Sequence, residues 1–127
     1  MSLRPDRFAV EVSPAGGFHV LGWYLAMTPQ GVLAADSVAH EVLTESLVMW
    51  SDHYAAQCGH GVNCPVEGLL ARYRRPQAVV GRALFTGPAT SRGVEGLTFD
   101  QALVLLDRLL AHANASDLDR QVLAASS

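Results

Sequence analysis

Apolar and polar residues alternate over 7–13: Phe8, Val10 and Val12 fall on one side, Ala9 and Glu11 on the other, the period of a strand with one wet face. Pro14, Ala15, Gly16 and Gly17 predict a turn. Over 18–27 both parities are largely apolar, with Phe18, Val20 and Tyr24 against Leu21, Trp23, Leu25 and Met27. That pattern predicts a central strand, covered on two faces, that anchors the core. Thr28, Pro29, Gln30 and Gly31 carry turn chemistry, and 32–35 is expected to return as a short third strand. The first quarter therefore reads as an antiparallel β-meander of two or three strands.

From 37 to 57 the same residues placed 100° apart give an amphipathic helix. Val38, Val42, Leu43, Leu47, Met49, Trp50, Tyr54 and Ala56 share one half-circle, together with Ser46 and His53; His40, Glu41, Thr44, Glu45, Ser51 and Asp52 occupy the other. Asp36 or Ser37 is placed to accept the first free amide hydrogens. Gly59 and Gly61 stop this helix; Pro65 starts another over 66–75, with Cys64 as N-cap and Glu67 in the first turn. Residues 77–86 fit strand or helix, and the reading favours helix. A loop over 87–96 precedes a helix over 99–113 capped by Thr98, and Ser116 caps a last one over 117–124. In the 99–113 helix, Phe99, Ala102, Leu103, Leu106, Leu109, Leu110 and Ala113 form the core arc. Asp100, Gln101, Asp107, Arg108 and His112 lie opposite, with Val104 among them and Leu105 at their border. The expected fold class is α+β: an N-terminal antiparallel meander, a long amphipathic helix and further C-terminal helices.

Composition narrows the function. The chain's 127 residues read as one domain, long enough to build a core without disulfide or metal staples. Only 17% of residues are charged, below the roughly 25% usual for soluble domains, which favours self-association as a homo-oligomer, with Val104 and Leu105 as spare contact positions. A net charge of −3 speaks against a general nucleic-acid binder. No apolar stretch reaches the 18 or so residues needed to span a bilayer, and the first residues lack a signal-peptide core. The expected location is the cytoplasm, with reduced thiols. The nine basic residues are all arginine, a coding bias that points to a GC-rich bacterial genome.

Two segments carry candidate chemistry. His53, Cys58, His60 and Cys64 gather both cysteines and two of the five histidines, and Gly59 and Gly61 let the backbone reverse between them. Four borderline-soft donors suit Zn²⁺, with His19 or His40 as a further ligand, although paired C-x2-C knuckles are absent. The same residues also read as buried small cysteines, as a Cys58–Cys64 disulfide, or as a thiolate at Cys64 with His60 as base and Asn63 orienting it. The second segment is a basic island: Arg72, Arg74, Arg75, Arg82 and Arg92 with no acid over 68–92. Arg72, Arg74 and Arg75 form an expected binding site for an anionic small molecule or an acidic partner. Residues 87–93 resemble a phosphate loop but lack its closing Gly-Lys-Ser/Thr. The favoured role is a binding, accessory or regulatory module; the competing one is a metalloprotein or thiol enzyme built on Cys58, His60 and Cys64.

Overall fold

The alternation near the N-terminus forms β1 (Phe8–Val12), antiparallel to β2 (Phe18–Gly22) across the 14–17 turn, with Val10 opposite Val20. The computed structural model describes residues 6–55, 61–75 and 77–111. After α1 (Pro29–Leu33) come β3 (Val38–Thr44), β4 (Leu47–Asp52), α2 (Cys64–Arg72) and β5 (Ala83–Thr86). A small hairpin of β6 (Ala89–Thr90) and β7 (Gly93–Val94) precedes a helix over 99–111, here α3. The main sheet is antiparallel in the order β2-β1-β5-β4-β3. The α+β class, a sheet joined with helices and ending in a C-terminal helix, is as expected.

Each face of the sheet is covered by its own layer. On one, Val10, Val12, Met49, Ala83 and Phe85 meet Val66, Leu69 and Leu70 of α2 and Ala102, Leu105 and Leu109 of α3. On the other, Ala9, Val48, Trp50 and Leu84 meet Trp23 and Leu33. β5 lies between these layers with all four residues buried. Each buried Val, Leu, Met or Phe among them contributes about 1.5–3 kcal/mol through burial, and each alanine less. Trp50 seals the second layer by donating its indole N–H to Thr86 Oγ1, and Trp23 donates to Val94 O, both at 2.8 Å. Gly96 permits the second contact, since a Cβ there would stand 2.8 Å from Arg7 Cβ and 3.0 Å from Trp23 Cβ.

Several sequence expectations are overturned. The long helix expected over 37–57 is instead, as far as residue 55, the β3–β4 hairpin, turning at Glu45 and Ser46; residues 56 and 57 lie outside the described residues. Leu47, Val48, Met49 and Trp50 are buried on alternate faces, so a doubly covered strand reproduced the crowded half of a helical wheel. The β-branched residues Val38, Val42, Thr44 and Val48 were the contrary signal. Residues 77–86 contain β5 rather than a helix, and Gly81, with φ +81°, breaks the chain just before it. The segment over 32–35 is no strand: Thr28 Oγ1 accepts the Gly31 N–H at 3.1 Å, and Pro29 opens α1. β2 ends at Gly22 and lies at the sheet edge; the central position belongs to β5. In α3 the buried stripe is Ala102, Leu105 and Leu109, while Phe99, Leu103 and Leu110 are exposed. Leu105 therefore faces the core and offers no contact surface. Ala113 and the helix expected over 117–124 lie outside the described residues.

Asn63, fully buried, ties these parts together. Its Nδ2 donates to Val12 O at 3.0 Å and Gly81 O at 2.9 Å, and its backbone N–H donates to Val79 O at 2.8 Å. One residue thus joins the end of β1, the approach to β5 and the start of α2. Asn63→Ala leaves two buried carbonyls without these donors, and the expected loss is about 2–5 kcal/mol. Urea unfolding at unchanged m-value measures it; a loss below about 0.5 kcal/mol would contradict the role.

Candidate functional site

The basic island divides once folded. α2 ends where Arg74 takes a left-handed conformation, φ +60°, and donates its backbone N–H to Ala71 O, while Arg75 N–H returns to Leu70 O. This reversal points the neighbouring arginines in different directions. Arg75 is held by Glu41 at 2.7 Å. Arg82 donates to Leu33 O at 2.7 Å, closing the carbonyl end of α1, and lies 3.5 Å from Glu11. Arg92 sits in the turn between β6 and β7. Among the described residues, Arg72 and Arg74 are exposed with no side-chain hydrogen bond or ion pair.

The histidine and cysteine segment is described only in part. His53 is exposed, its ring packed edge-on against Tyr54 at 4.8 Å. Cys64 is an exposed free thiol at the first position of α2, and Asn63 rather than Cys64 is the N-cap residue. Cys58 and His60 lie outside the described residues. His19 and His40 occupy opposite edge strands, β2 and β3. Among the described residues no three histidine, cysteine or carboxylate groups converge on one point. A polar hollow of about 340 Å³ is lined by His40, Glu41, Ser51, Asp52, His53 and Gln77. Its carboxylates are already engaged, Glu41 by Arg75 and Asp52 by the Tyr54 N–H at 2.9 Å.

A different hollow, open to solvent, sets an apolar wall beside an arginine. It holds about 360 Å³, inside the roughly 300–1,000 Å³ typical of small-molecule sites. Leu47, Leu97 and Leu105 supply buried apolar surface, and Tyr73 and Val104 stand beside them. Thr44 and Ser46 come from the β3–β4 turn; Asp100, Gln101 and Arg108 come from α3. Arg108 donates to Tyr73 Oη at 2.6 Å, and its guanidinium carbon lies 5.7 Å from the Tyr73 ring centroid. Gln101 is committed to the start of α3: its Oε1 accepts the Thr98 N–H at 2.9 Å, and Thr98 Oγ1 accepts the Gln101 N–H at 3.2 Å, a capping box. Beyond Arg108 a second hollow, of about 430 Å³, is lined by Arg72, Leu103, Val104, Asp107, Arg108 and Ala111. Arg108 and Val104 belong to both, so apolar cleft and basic groove adjoin.

Arg72 and Tyr73 were legible as part of the basic island, but the pairing of Tyr73 with Arg108 was not. They are 35 positions apart, and Arg108 read as an outward polar residue on the helical wheel. No local spacing announces a pair made by tertiary packing.

Tyr73→Phe keeps the ring and deletes the acceptor of the Arg108 hydrogen bond. The expected loss is about 0.5–1.5 kcal/mol in chemical denaturation, whereas Tyr73→Ala loses more because the cleft wall goes with it. Equal effects of the two variants would contradict the bonding role of the hydroxyl. No protein-family model matches the chain, and no curated protein or solved structure matches it, so the functional reading rests on this geometry.

Proposed function

We propose that the protein is a binding module for a small amphipathic anion, with the hydrocarbon part in the cleft beside Leu47, Leu97 and Leu105 and the carboxylate or phosphate at Arg108 and Arg72. What supports the reading is the adjacency of an apolar cleft to two arginines, of which Arg108 is held in place by Tyr73. A guanidinium fork suits a planar or tetrahedral oxyanion, and a preset side chain loses less freedom on binding. Arg74 adds long-range attraction from the same end of α2. Arg75 is spent on Glu41 and takes no part. Asp100 lies at the cleft and Asp107 in the outer groove, so an anionic head is oriented away from both.

The competing reading, a metalloprotein or thiol enzyme using Cys58, His60 and Cys64, has no comparable observation behind it among the described residues. Self-association belongs to the proposed module through the outer edge of β3. That strand is seven residues long, contains no Pro, Lys or Arg, has among the described residues a neighbouring strand on one side only, and exposes Val42. Its register shifts between Val42 and Thr44 and Glu41 is paired with Arg75, so the pairing surface is the stretch up to Val42. A cytoplasmic setting fits a chain in which, among the described residues, no helix is long and apolar enough to cross a membrane.

Calorimetry with decanoate, decylamine and decanol tests the ligand chemistry. Decanoate should bind best, and Arg108→Gln should weaken it about tenfold to a hundredfold, the equivalent of one charged hydrogen bond. Arg75→Gln should leave it unchanged. Equal binding of all three compounds, or indifference to Arg108→Gln, would defeat the reading. For assembly, light scattering should give twice 13.6 kDa, and Val42→Lys should return the monomer. Particles of 13.6 kDa at every concentration would rule out the dimer.

A further inference from the structure

β3 lies at the edge of the sheet with its outer backbone groups in a symmetric pattern. His53 N–H donates to Ser37 O at 3.0 Å, and the register against β4 then runs from Val38 opposite Asp52 to Val42 opposite Val48. Antiparallel ladders alternate between pairs that exchange hydrogen bonds and pairs that do not. Ser37, Ala39 and Glu41 therefore spend their backbone groups on β4, whereas Val38, His40 and Val42 turn theirs outward. No described residue takes those outward groups. A second copy related by a two-fold axis at His40 sets Val38 against Val42, His40 against His40 and Val42 against Val38, so all three pairs are hydrogen-bonded. Centring the axis at Ala39 or Glu41 loses one of these pairs, because the register shifts after Val42 and β3 starts at Val38.

The side chains agree with that register. Val38, His40 and Val42 share the face of Trp50, where Val38 packs on the core and the His40 ring lies 5.3 Å from the indole. Val38 and exposed Val42 of the two copies meet as β-branched pairs. On the other face Glu41 stands opposite Ala39, its carboxylate already neutralised by Arg75. The stretch thus complements itself and carries no unpaired carboxylate that would select a basic partner instead.

This register places two imidazoles face to face, with Cα atoms about 5.5 Å apart. Histidine changes charge between about pH 5 and 8, and like charges directly opposite each other repel. Asp52 and His53 line the same hollow as His40, one attracting a charged ring and the other opposing it. Both act in monomer and dimer alike, so the opposed histidines set the sign of the coupling. Asp52 of the second copy is two strands and two residues away, roughly 12 Å at ordinary strand spacings and past the Debye length of about 8 Å. Asp36 and Glu45 stand beyond the two ends of the ladder. Resting on the self-association proposed through β3, we infer that His40 lies on the two-fold axis and makes the dimer pH-sensitive, closed when the histidines are neutral and opened by their protonation.

Sedimentation velocity of the full-length protein at pH 7.5 and 5.5 measures the coupling, with circular dichroism following the fold at both. The dimer should be about tenfold weaker at pH 5.5, the effect of two unit charges about 5–7 Å apart in a partly wet site. His40→Gln, which takes no proton, should stay dimeric and lose the dependence. Register is read separately by oxidation in a background where Cys58 and Cys64 are replaced by serine. There His40→Cys should form a covalent dimer, since its Cα separation falls within the roughly 4.4–6.8 Å of disulfides, and Val38→Cys should not. Monomer at both pH values would defeat the self-association itself. A dimer equally stable at both, or a dependence that survives His40→Gln, would leave the self-association standing and overturn the switch. A covalent dimer of Val38→Cys would overturn the register.

Discussion

Asn63 sets the constraint on which the described architecture depends. The chain leaves the β3–β4 hairpin on one side of the sheet and must return to the middle of it as β5, with α2 formed in between. Paired residues 61–63 and 79–81 close that excursion: Gly81 N–H donates to Gly61 O, and Asn63 N–H to Val79 O, both at 2.8 Å. The Asn63 amide then donates to the Val12 and Gly81 carbonyls, one at the end of β1 and one at the approach to β5. A carboxylate in its place has no proton to donate to them. Glu67 adds a second tie from the first turns of α2, accepting the Val79 N–H at 3.2 Å.

With its first turn fixed there, α2 delivers Tyr73 to a defined place over the sheet. Val66, Leu69 and Leu70 are fully buried, so the helix cannot roll without opening the core. Tyr73, the C-cap residue, then meets Arg108 of α3, and the space between them and the β3–β4 turn is the cleft. The cleft's lining thus comes from three segments whose positions are set by packing rather than by neighbouring sequence.

Legibility in the sequence followed how locally each feature is determined. β1, the 14–17 turn, α2 and α3 were readable, because alternation, turn residues, Pro65 and the Thr98 capping box act within a few positions. The β3–β4 hairpin was not, because Leu47 to Trp50 are apolar on both faces and carry no period that separates strand from helix. The rotation of α3 was also hidden: its apolar arc is wider than the core it meets, so the wheel could not separate Leu105 from Leu103. Of the anion-site residues, Arg72 and Arg74 remain exposed, whereas the pairing of Arg75 with Glu41 spans 34 positions and needs the fold. Arg108 became visible as a site residue only through its contact with Tyr73.

The central claim is about place: an amphipathic anion occupies the cleft bounded by the β3–β4 turn, Tyr73 and α3. Backbone amide shifts recorded by NMR during a decanoate titration test it most directly. The account predicts saturable shifts concentrated at Thr44, Ser46, Leu47, Tyr73 and residues 100–108, with β2 and β6 unmoved. Saturable shifts centred instead on the hollow around His40, Asp52 and His53, or no saturable shifts at all, would contradict it.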